Sequence, residues 1–264
     1  MFLEISPEKK IYYESTGQGK PLIFVPGWTM DHQVFNKQRE YFASKYNVIL
    51  FDPPGCGNSD RFDKYSFSLS REVIRKLVDK TCVEDSHLVG WSMGGEILLS
   101  LLAKQDINPR SLTLLCSTPC FVERGDWSHG MPKTVAKKFS KGLKKKPQET
   151  FALFREEALR TYKTNDLEAV LVRAGQNTDL LCAEQMFHEL ENNDLREGLS
   201  EIDTSTYIIS GVRDQVCLPE ASIYMAENIK KAKYASVGRG HVPFIDEPAL
   251  FNQKLEEFLK QSDK

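Results

Sequence analysis

His87-Leu88-Val89-Gly90-Trp91-Ser92-Met93-Gly94-Gly95-Glu96-Ile97-Leu98-Leu99 is the stretch on which the fold turns. A short apolar run enters a G-x-S-x-G sequence, Gly90 to Gly94, and a helical run, Glu96 to Ala103, leaves it. That context is what a nucleophile elbow needs: a serine at a sharp strand-to-helix turn, flanked by residues small enough for the backbone to bend and expose the hydroxyl. A chance G-x-S-x-G at an ordinary turn is the competing reading, and the strand and helix on either side weigh against it. The helix that starts here also aims backbone N–H groups at the site, so the Met93 amide is placed to donate to a developing oxyanion.

Outward from the elbow, short apolar runs rich in β-branched residues alternate with helical patterns. Strands are expected at Leu22 to Val25, Val48 to Phe51, Leu88 to Gly90, Ser111 to Cys116, Tyr207 to Ser210 and Tyr234 to Val237. Helices are expected at Asp31 to Lys45, Ser66 to Thr81, Ser92 to Lys104, Pro219 to Ile229 and Pro248 to Lys260. This alternation predicts an α/β protein with a mostly parallel sheet covered on both faces. An antiparallel pair, Phe2 to Ile5 and Ile11 to Glu14, is expected before it, around Ser6-Pro7-Glu8. Between Cys116 and Thr206 the alternation stops and only helical pattern remains, for example Phe151, Phe154, Ala158, Leu159 and Tyr162. Residues 123–188 are therefore expected to form a helical cap inserted into a core of 1–122 and 189–264, lying over the carboxyl ends of the strands, where open α/β sheets bind ligands.

A serine hydroxyl needs a base, and the base needs an orienting acid. Ser210-Gly211-Val212-Arg213-Asp214 and Gly238-Arg239-Gly240-His241-Val242-Pro243 each follow an expected strand, so Ser92, Asp214 and His241 fall in the chain order of an α/β-hydrolase triad and meet at one edge of the sheet. His32, His87, His129 and His188 lack that placement. Taken alone, Asp214 could instead be a helix-capping residue before Pro219, a reading that its position in the series weighs against. The second oxyanion donor is expected from Phe24-Val25-Pro26-Gly27-Trp28, through the Trp28 amide; its indole either walls the pocket or is an ordinary core or surface aromatic. Asp52-Pro53-Pro54-Gly55-Cys56-Gly57-Asn58-Ser59 reads as stiff structural support, since it lacks both the GK[ST] ending and the G-x-G-x-x-G spacing of phosphate loops.

Composition bounds the alternatives. The 264 residues are 41% hydrophobic and 27% charged, with 35 Lys and Arg against 37 Asp and Glu, so no global charge favours nucleic acid. The longest stretch without a formal charge, Ser111 to Val122, is far short of the ~20 residues of a membrane-spanning helix. The opening Met1-Phe2-Leu3-Glu4-Ile5-Ser6-Pro7 lacks the pattern of a signal peptide, and a cytoplasmic protein, with no membrane partner, is expected. Cys56, Cys82, Cys116, Cys120, Cys182 and Cys217 form no CxxC pair and read as reduced structural thiols. No metal and no cofactor are expected.

These residues resemble a known family. The whole chain is similar to α/β-hydrolases, and more narrowly to the pimeloyl-acyl-carrier-protein methyl ester esterases of biotin synthesis. The likeness rests on Gly27-Trp28, on Gly90-Trp91-Ser92-Met93-Gly94-Gly95, on Ser117-Thr118-Pro119-Cys120-Phe121 followed by Asp126-Trp127, on Glu191 to Leu195 with Arg196, and on Gly240-His241-Val242-Pro243-Phe244-Ile245. The resemblance implies a serine esterase with the triad already derived, Trp28, Ser92, Met93 and His241 in the substrate pocket, and further contacts from Pro147-Gln148-Glu149-Thr150-Phe151 of the cap. It departs at Pro26, where the family often carries histidine, and at Pro147, where an aromatic is expected.

From Lys133 to Lys163 the chain carries Lys133, Lys137, Lys138, Lys141, Lys144, Lys145, Lys146, Arg155, Arg160 and Lys163 against Glu149, Glu156 and Glu157. A solvated helix face is the usual meaning of such a run. The resemblance favours the other reading, docking of an acyl-carrier protein on Lys137, Lys138, Lys141, Lys144, Lys145, Arg155 and Arg160, with the basic surface speeding encounter. A monomer is expected. Three other readings stay open from the residues alone: a broad-specificity short-chain carboxylesterase, a C–C bond hydrolase with the same triad, and a slow-turnover acyl-binding module on the same fold. Haloalkane dehalogenase and epoxide hydrolase chemistry would need a carboxylate at position 92.

Overall fold

The computed structural model describes residues 1–81, 83–160 and 165–264; Cys82, Tyr162 and Lys163 lie outside the described residues. Its centre is an eight-stranded sheet of β1 (Phe2–Ser6), β2 (Lys9–Thr16), β3 (Pro21–Val25), β4 (Asn47–Phe51), β5 (His87–Trp91), β6 (Ser111–Leu115), β7 (Thr206–Ser210) and β8 (Ala232–Ser236). The strand order is β1-β2-β4-β3-β5-β6-β7-β8. β1, β2 and β4 pair antiparallel, and every pairing from β4 onward through β3 to β8 is parallel.

Every residue of β3, β5, β6 and β7 is buried, which is why these runs read as continuous apolar stretches and not as alternation. β8, with a neighbour on one side only, is half-exposed and carries the polar Lys233 and Ser236. Its weak apolar pattern explains why its start lies two residues before the expected Tyr234. The loops after β3 and β5 diverge, because the chain runs from β3 to one side and later returns as β5 on the other. A ligand crevice opens at such a reversal.

Among the described residues ten α-helices complete the fold: α1 (Asn36–Phe42), α2 (Phe67–Asp79), α3 (Met93–Leu102), α4 (Lys133–Lys145), α5 (Pro147–Ala158), α6 (Asn165–Gln176), α7 (Leu180–Asn192), α8 (Pro219–Asn228), α9 (Pro243–Asp246) and α10 (Pro248–Ser262). Local chemistry starts several of them. Ser66 caps α2 by accepting from the Leu69 amide at 3.2 Å, and proline opens α5, α8, α9 and α10, where its missing N–H costs nothing. All ten residues of α3 are buried, so the helix behind the elbow has no solvent face. The expected helix from Asp31 is instead a tight 3-10 turn, His32–Phe35, before α1. Asp52 takes both the His32 amide (2.8 Å) and its ring, and this fixes the turn.

Among the described residues the helices α4 to α7 lie between β6 and β7, and α7 runs to Asn192, past the 188/189 boundary expected from sequence. Among the described residues no helix is long and apolar enough to cross a membrane.

Candidate active site

Ser92 sits between β5 and α3 with φ 53° and ψ −122°, a conformation a non-glycine residue adopts only when its surroundings force it. The forcing contacts are local. A Cβ on Gly90 would come within 2.7 Å of the Gly94 carbonyl, and one on Gly94 would overlap the Val25 carbonyl, so the elbow is pressed against itself and against the end of β3. The Ser92 amide donates to Leu115 O at 2.9 Å, while its carbonyl accepts from Ser117 Oγ at 2.9 Å. The nucleophile is thereby pinned to β6 as well as β5.

Asp214 and His241 arrive on the loops after β7 and β8. These loops meet backbone to backbone: Arg213 N donates to Arg239 O at 2.7 Å, and a side chain on Gly211 would overlap Gly240. Asp214 is fully buried, and its Oδ1 accepts from the Val216 and Cys217 amides at 2.8 and 3.1 Å. Its Oδ2 lies 2.8 Å from His241 Nδ1. A carboxylate can only accept, so Nδ1 holds the ring proton and Nε2 presents a lone pair. Nε2 is buried and has no hydrogen-bond partner among the described residues. Burial first, then the charges of Asp214 and Glu96, push the Cys217 thiol well above its ordinary range, and the nearby Ser92 side chain offsets this in part. The three expected residues are thus brought to one edge of the sheet, with the acid–base contact formed and the serine–base contact unmade.

Three neighbours carry no sequence signal for this role. Trp91 donates from Nε1 to the His241 carbonyl at 2.8 Å and lies 5.5 Å from its ring, so the residue before the nucleophile holds the base's loop. Cys217, on a loop far from Ser92 in sequence, comes close enough for the Ser92 side chain to act on its thiol. Glu96, one turn into α3, is buried with Oε2 unpartnered, and burial pushes its carboxyl well above the usual range.

Met93 is the first residue of α3, so its N–H has no partner within the helix. Neither its amide nor that of Trp28 donates to a protein acceptor among the described residues. Trp28 and Met93 line one enclosed apolar cavity, and Gly27 brings the β3 loop against Ser92 Cβ. The Trp28 indole is buried: Nε1 donates to Ala183 O at 3.0 Å, and Phe139, Phe151, Phe154 and Phe187 surround the ring at 4.9 to 5.8 Å. This tryptophan joins the core to α4, α5 and α7.

The stretch 147–151 does not act as one unit. Phe151 packs on Trp28, whereas Glu149 and Thr150 line a groove of about 780 Å³ between α4, α5 and Val216 to Leu218. Gln148 faces a separate pocket beside Arg155. Pro147 opens α5. The basic residues divide too. Lys138, Lys141 and Lys145 rim the groove, Lys144 pairs with Glu184 at 3.1 Å, Arg160 with Glu157 at 3.2 Å, and Lys137 is exposed outside both pockets. Lys146, absent from the expected docking set, also lines the groove and holds Glu149 at 2.9 Å.

Two buried trios, Cys116 with Asp214 and His241 and Asp31 with His32 and Asp52, hold metal-ligand atoms within 4.8 Å of one another. The carboxylates of both are already spent on backbone amides, histidine rings and Arg173.

The fold and the elbow define a class. The alpha/beta hydrolase fold family matches residues 20–248, and the chain belongs to it. Within that class it is similar to a pimeloyl-acyl-carrier-protein methyl ester esterase of Nitrosospira multiformis, 27% identical over 263 residues that cover 95% of this chain and 98% of the relative. The same-named protein of Legionella pneumophila is 28% identical over 251 residues, covering 95% and 99%. Among solved structures, an esterase from Exiguobacterium antarcticum superposes with a TM-score of 0.92 at 27% identity, covering 98% of both chains. The family resemblance carried by the motifs is met by these relatives.

Proposed function

We propose that the protein is a serine carboxylesterase that hydrolyses the methyl ester of pimeloyl-acyl-carrier protein, releasing methanol and the free pimeloyl carrier ester for biotin synthesis. The observation that carries the reading is His241 Nε2, buried without a partner on a ring whose other nitrogen is held by Asp214, beside the strained Ser92 elbow.

Rotation of the Ser92 hydroxyl toward Nε2 gives His241 the proton as Ser92 attacks the ester carbonyl. The Met93 and Trp28 amides hold the oxyanion, each such donor being worth roughly 2.7–4 kcal/mol. His241 then protonates the leaving methanol, and water hydrolyses the acyl-enzyme by the same path. Asp214 keeps the tautomer and stabilises the imidazolium. Trp91 restrains the loop through which the base moves.

Residues 123–188 serve as the cap of a core formed by 1–122 and 189–264. The acyl chain runs beneath it toward Trp28, Met93 and Phe151. The carrier protein docks along the groove rimmed by Lys138, Lys141 and Lys145, with Lys137, Lys144, Arg155 and Arg160 adding to the field. The names of the relatives support the carrier-linked substrate. The likeness to the Exiguobacterium esterase supports a second reading, a broad-specificity short-chain carboxylesterase.

Hydrolysis of pimeloyl-carrier-protein methyl ester beside a p-nitrophenyl ester, at two salt concentrations, separates the two. A carrier-substrate advantage that falls with salt supports the first reading; turnover of the small ester alone, indifferent to salt, leaves the second.

A further inference from the structure

Cys56 and Cys182 lie far apart in sequence and meet in the wall of the cavity that also holds Met93 and Trp28. Cys56 belongs to the glycine-rich turn after β4; Cys182 is in the first turn of α7, the helix whose Ala183 carbonyl receives the Trp28 indole. The neighbouring Cys56 thiol, ahead of burial, raises the Cys182 thiol well above its ordinary range.

The backbone on both sides is held. Asp179, the N-cap of α7, donates its amide to Gly55 O at 2.8 Å, and the Gly57 amide donates to Asn177 O at 3.1 Å. Cys56 and Thr178 form an isolated antiparallel bridge, and Thr178 Oγ1 stands 3.9 Å from Cys56 Sγ. A helix that starts two residues beyond Thr178 brings Cys182 round one turn above it, with Sγ 3.2 Å from Pro54 O.

We propose that Cys56 and Cys182 are an oxidation site that hydrogen peroxide converts to a disulfide, joining α7 to the turn after β4. Both sulfurs are buried, so the oxidant has to be small. The Cys56 thiol gives up its proton, its sulfur attacks one peroxide oxygen and the O–O bond breaks; the departing hydroxide takes that proton and leaves as water, with a sulfenic acid on Cys56. The Cys182 sulfur then attacks the sulfenic sulfur, its proton leaves with the hydroxyl as a second water, and the S–S bond forms. Two thiols and one peroxide give one disulfide and two waters. In a chain whose cysteines read as reduced structural thiols, such a bridge is a redox response and not a folding staple.

The test uses the full chain, reduced, exposed to hydrogen peroxide, alkylated, and digested without reductant. The expected result is a mass loss of two hydrogens before alkylation, a linked pair of peptides carrying Cys56 and Cys182, and full reversal by dithiothreitol. The melting temperature of the oxidised protein rises by roughly 5–10 °C, because the bridge closes a long loop. In Cys182→Ser the link and the melting shift vanish, and dimedone traps sulfenic acid on Cys56; Cys56→Ala abolishes both the link and the trapping. Complete alkylation of both cysteines after peroxide, or a link formed between other cysteines, overturns the proposal. The wild-type mass needs no variant to fold, and peptide connectivity is independent of whether the esterase reading stands.

Discussion

Two buried aspartate–histidine pairs stand at the carboxyl ends of the strands, and they differ in one nitrogen. In the first, Asp214 Oδ2 holds His241 Nδ1 at 2.8 Å and Nε2 is left unpartnered beside the Ser92 elbow. In the second, Asp52 Oδ1 holds His32 Nδ1 at 2.6 Å, but Nε2 faces Glu14 Oε1 at 3.4 Å and the ring lies against Tyr12. Asp52 also accepts the His32 and Asn58 amides, and neighbouring Asp31 binds Arg173 of α6 at 2.9 Å. An acid–histidine contact alone therefore does not mark a catalytic site. A base needs an unspent nitrogen facing a nucleophile, and His32 has spent both of its own on holding β2, β4 and the turn before α1 together.

The largest expected effect breaks the first pair. Ser92→Ala and His241→Ala each lower kcat/KM for any ester by at least about 10⁴-fold, Ser92→Ala with an unchanged melting temperature. His32→Gln leaves turnover per folded molecule within a few-fold. If His32→Gln instead lost as much activity as His241→Ala, with its fold intact by circular dichroism, the division between the pairs would be wrong. The aspartates should split the same way. Asp214→Asn lowers kcat by about 10³- to 10⁴-fold by spoiling the tautomer. Asp52→Asn acts on stability, at about 3–5 kcal/mol, because it leaves a buried histidine and its neighbours without their partner; denaturant titration reads this directly.

The pairs should also separate in pH. Burial pulls the His32 pKa down, but Asp52, Glu14 and Asp31 outweigh it, and the net shift is upward from 6.5. A histidine with a raised folded pKa contributes stability that is fully present below its unfolded value and is lost as pH rises through the folded one. Wild-type melting temperature should therefore fall as pH climbs from about 6.5 upward. His32→Gln should show a shallower fall over the same range. Parallel curves would mean that His32 does not bind its proton more tightly in the folded state.

The contrast also separates what was legible in the sequence from what was not. The elbow and the loops of Asp214 and His241 were readable because each is local: an apolar strand, a glycine-bearing turn and a charged or hydroxyl residue within a few positions. His32 offers no such frame, and its partner Asp52 sits in a turn that reads only as stiff support. Cys217 against Ser92, and Trp91 Nε1 on the His241 carbonyl, join residues whose proximity is set by sheet order, which local pattern does not encode. The apolar face of α5 was legible through Phe151, Phe154 and Ala158. That Gln148 and Glu149 face different pockets was not, because the packing of α4 and α6 on either side decides it.

The smallest expected effect concerns charge and not chemistry. Lys138, Lys141 and Lys145 rim the groove beside Val216, two residues from Asp214, yet none touches the triad. Their field acts on encounter, so it should appear in kcat/KM for a macromolecular acidic substrate and not in kcat for a small ester. Reversing two of them, Lys141→Glu with Lys145→Glu, should lower kcat/KM for the carrier-linked ester by about tenfold at low ionic strength and by less as salt shortens the screening length toward 8 Å. p-Nitrophenyl ester turnover should stay within a factor of about two, since Asp214, His241 and Ser92 are untouched. Equal losses on both substrates would instead mean that the reversal disturbs α4 and the Trp28 cluster beneath it. The lysines would then be a solvated face, and the groove an apolar route that small esters share.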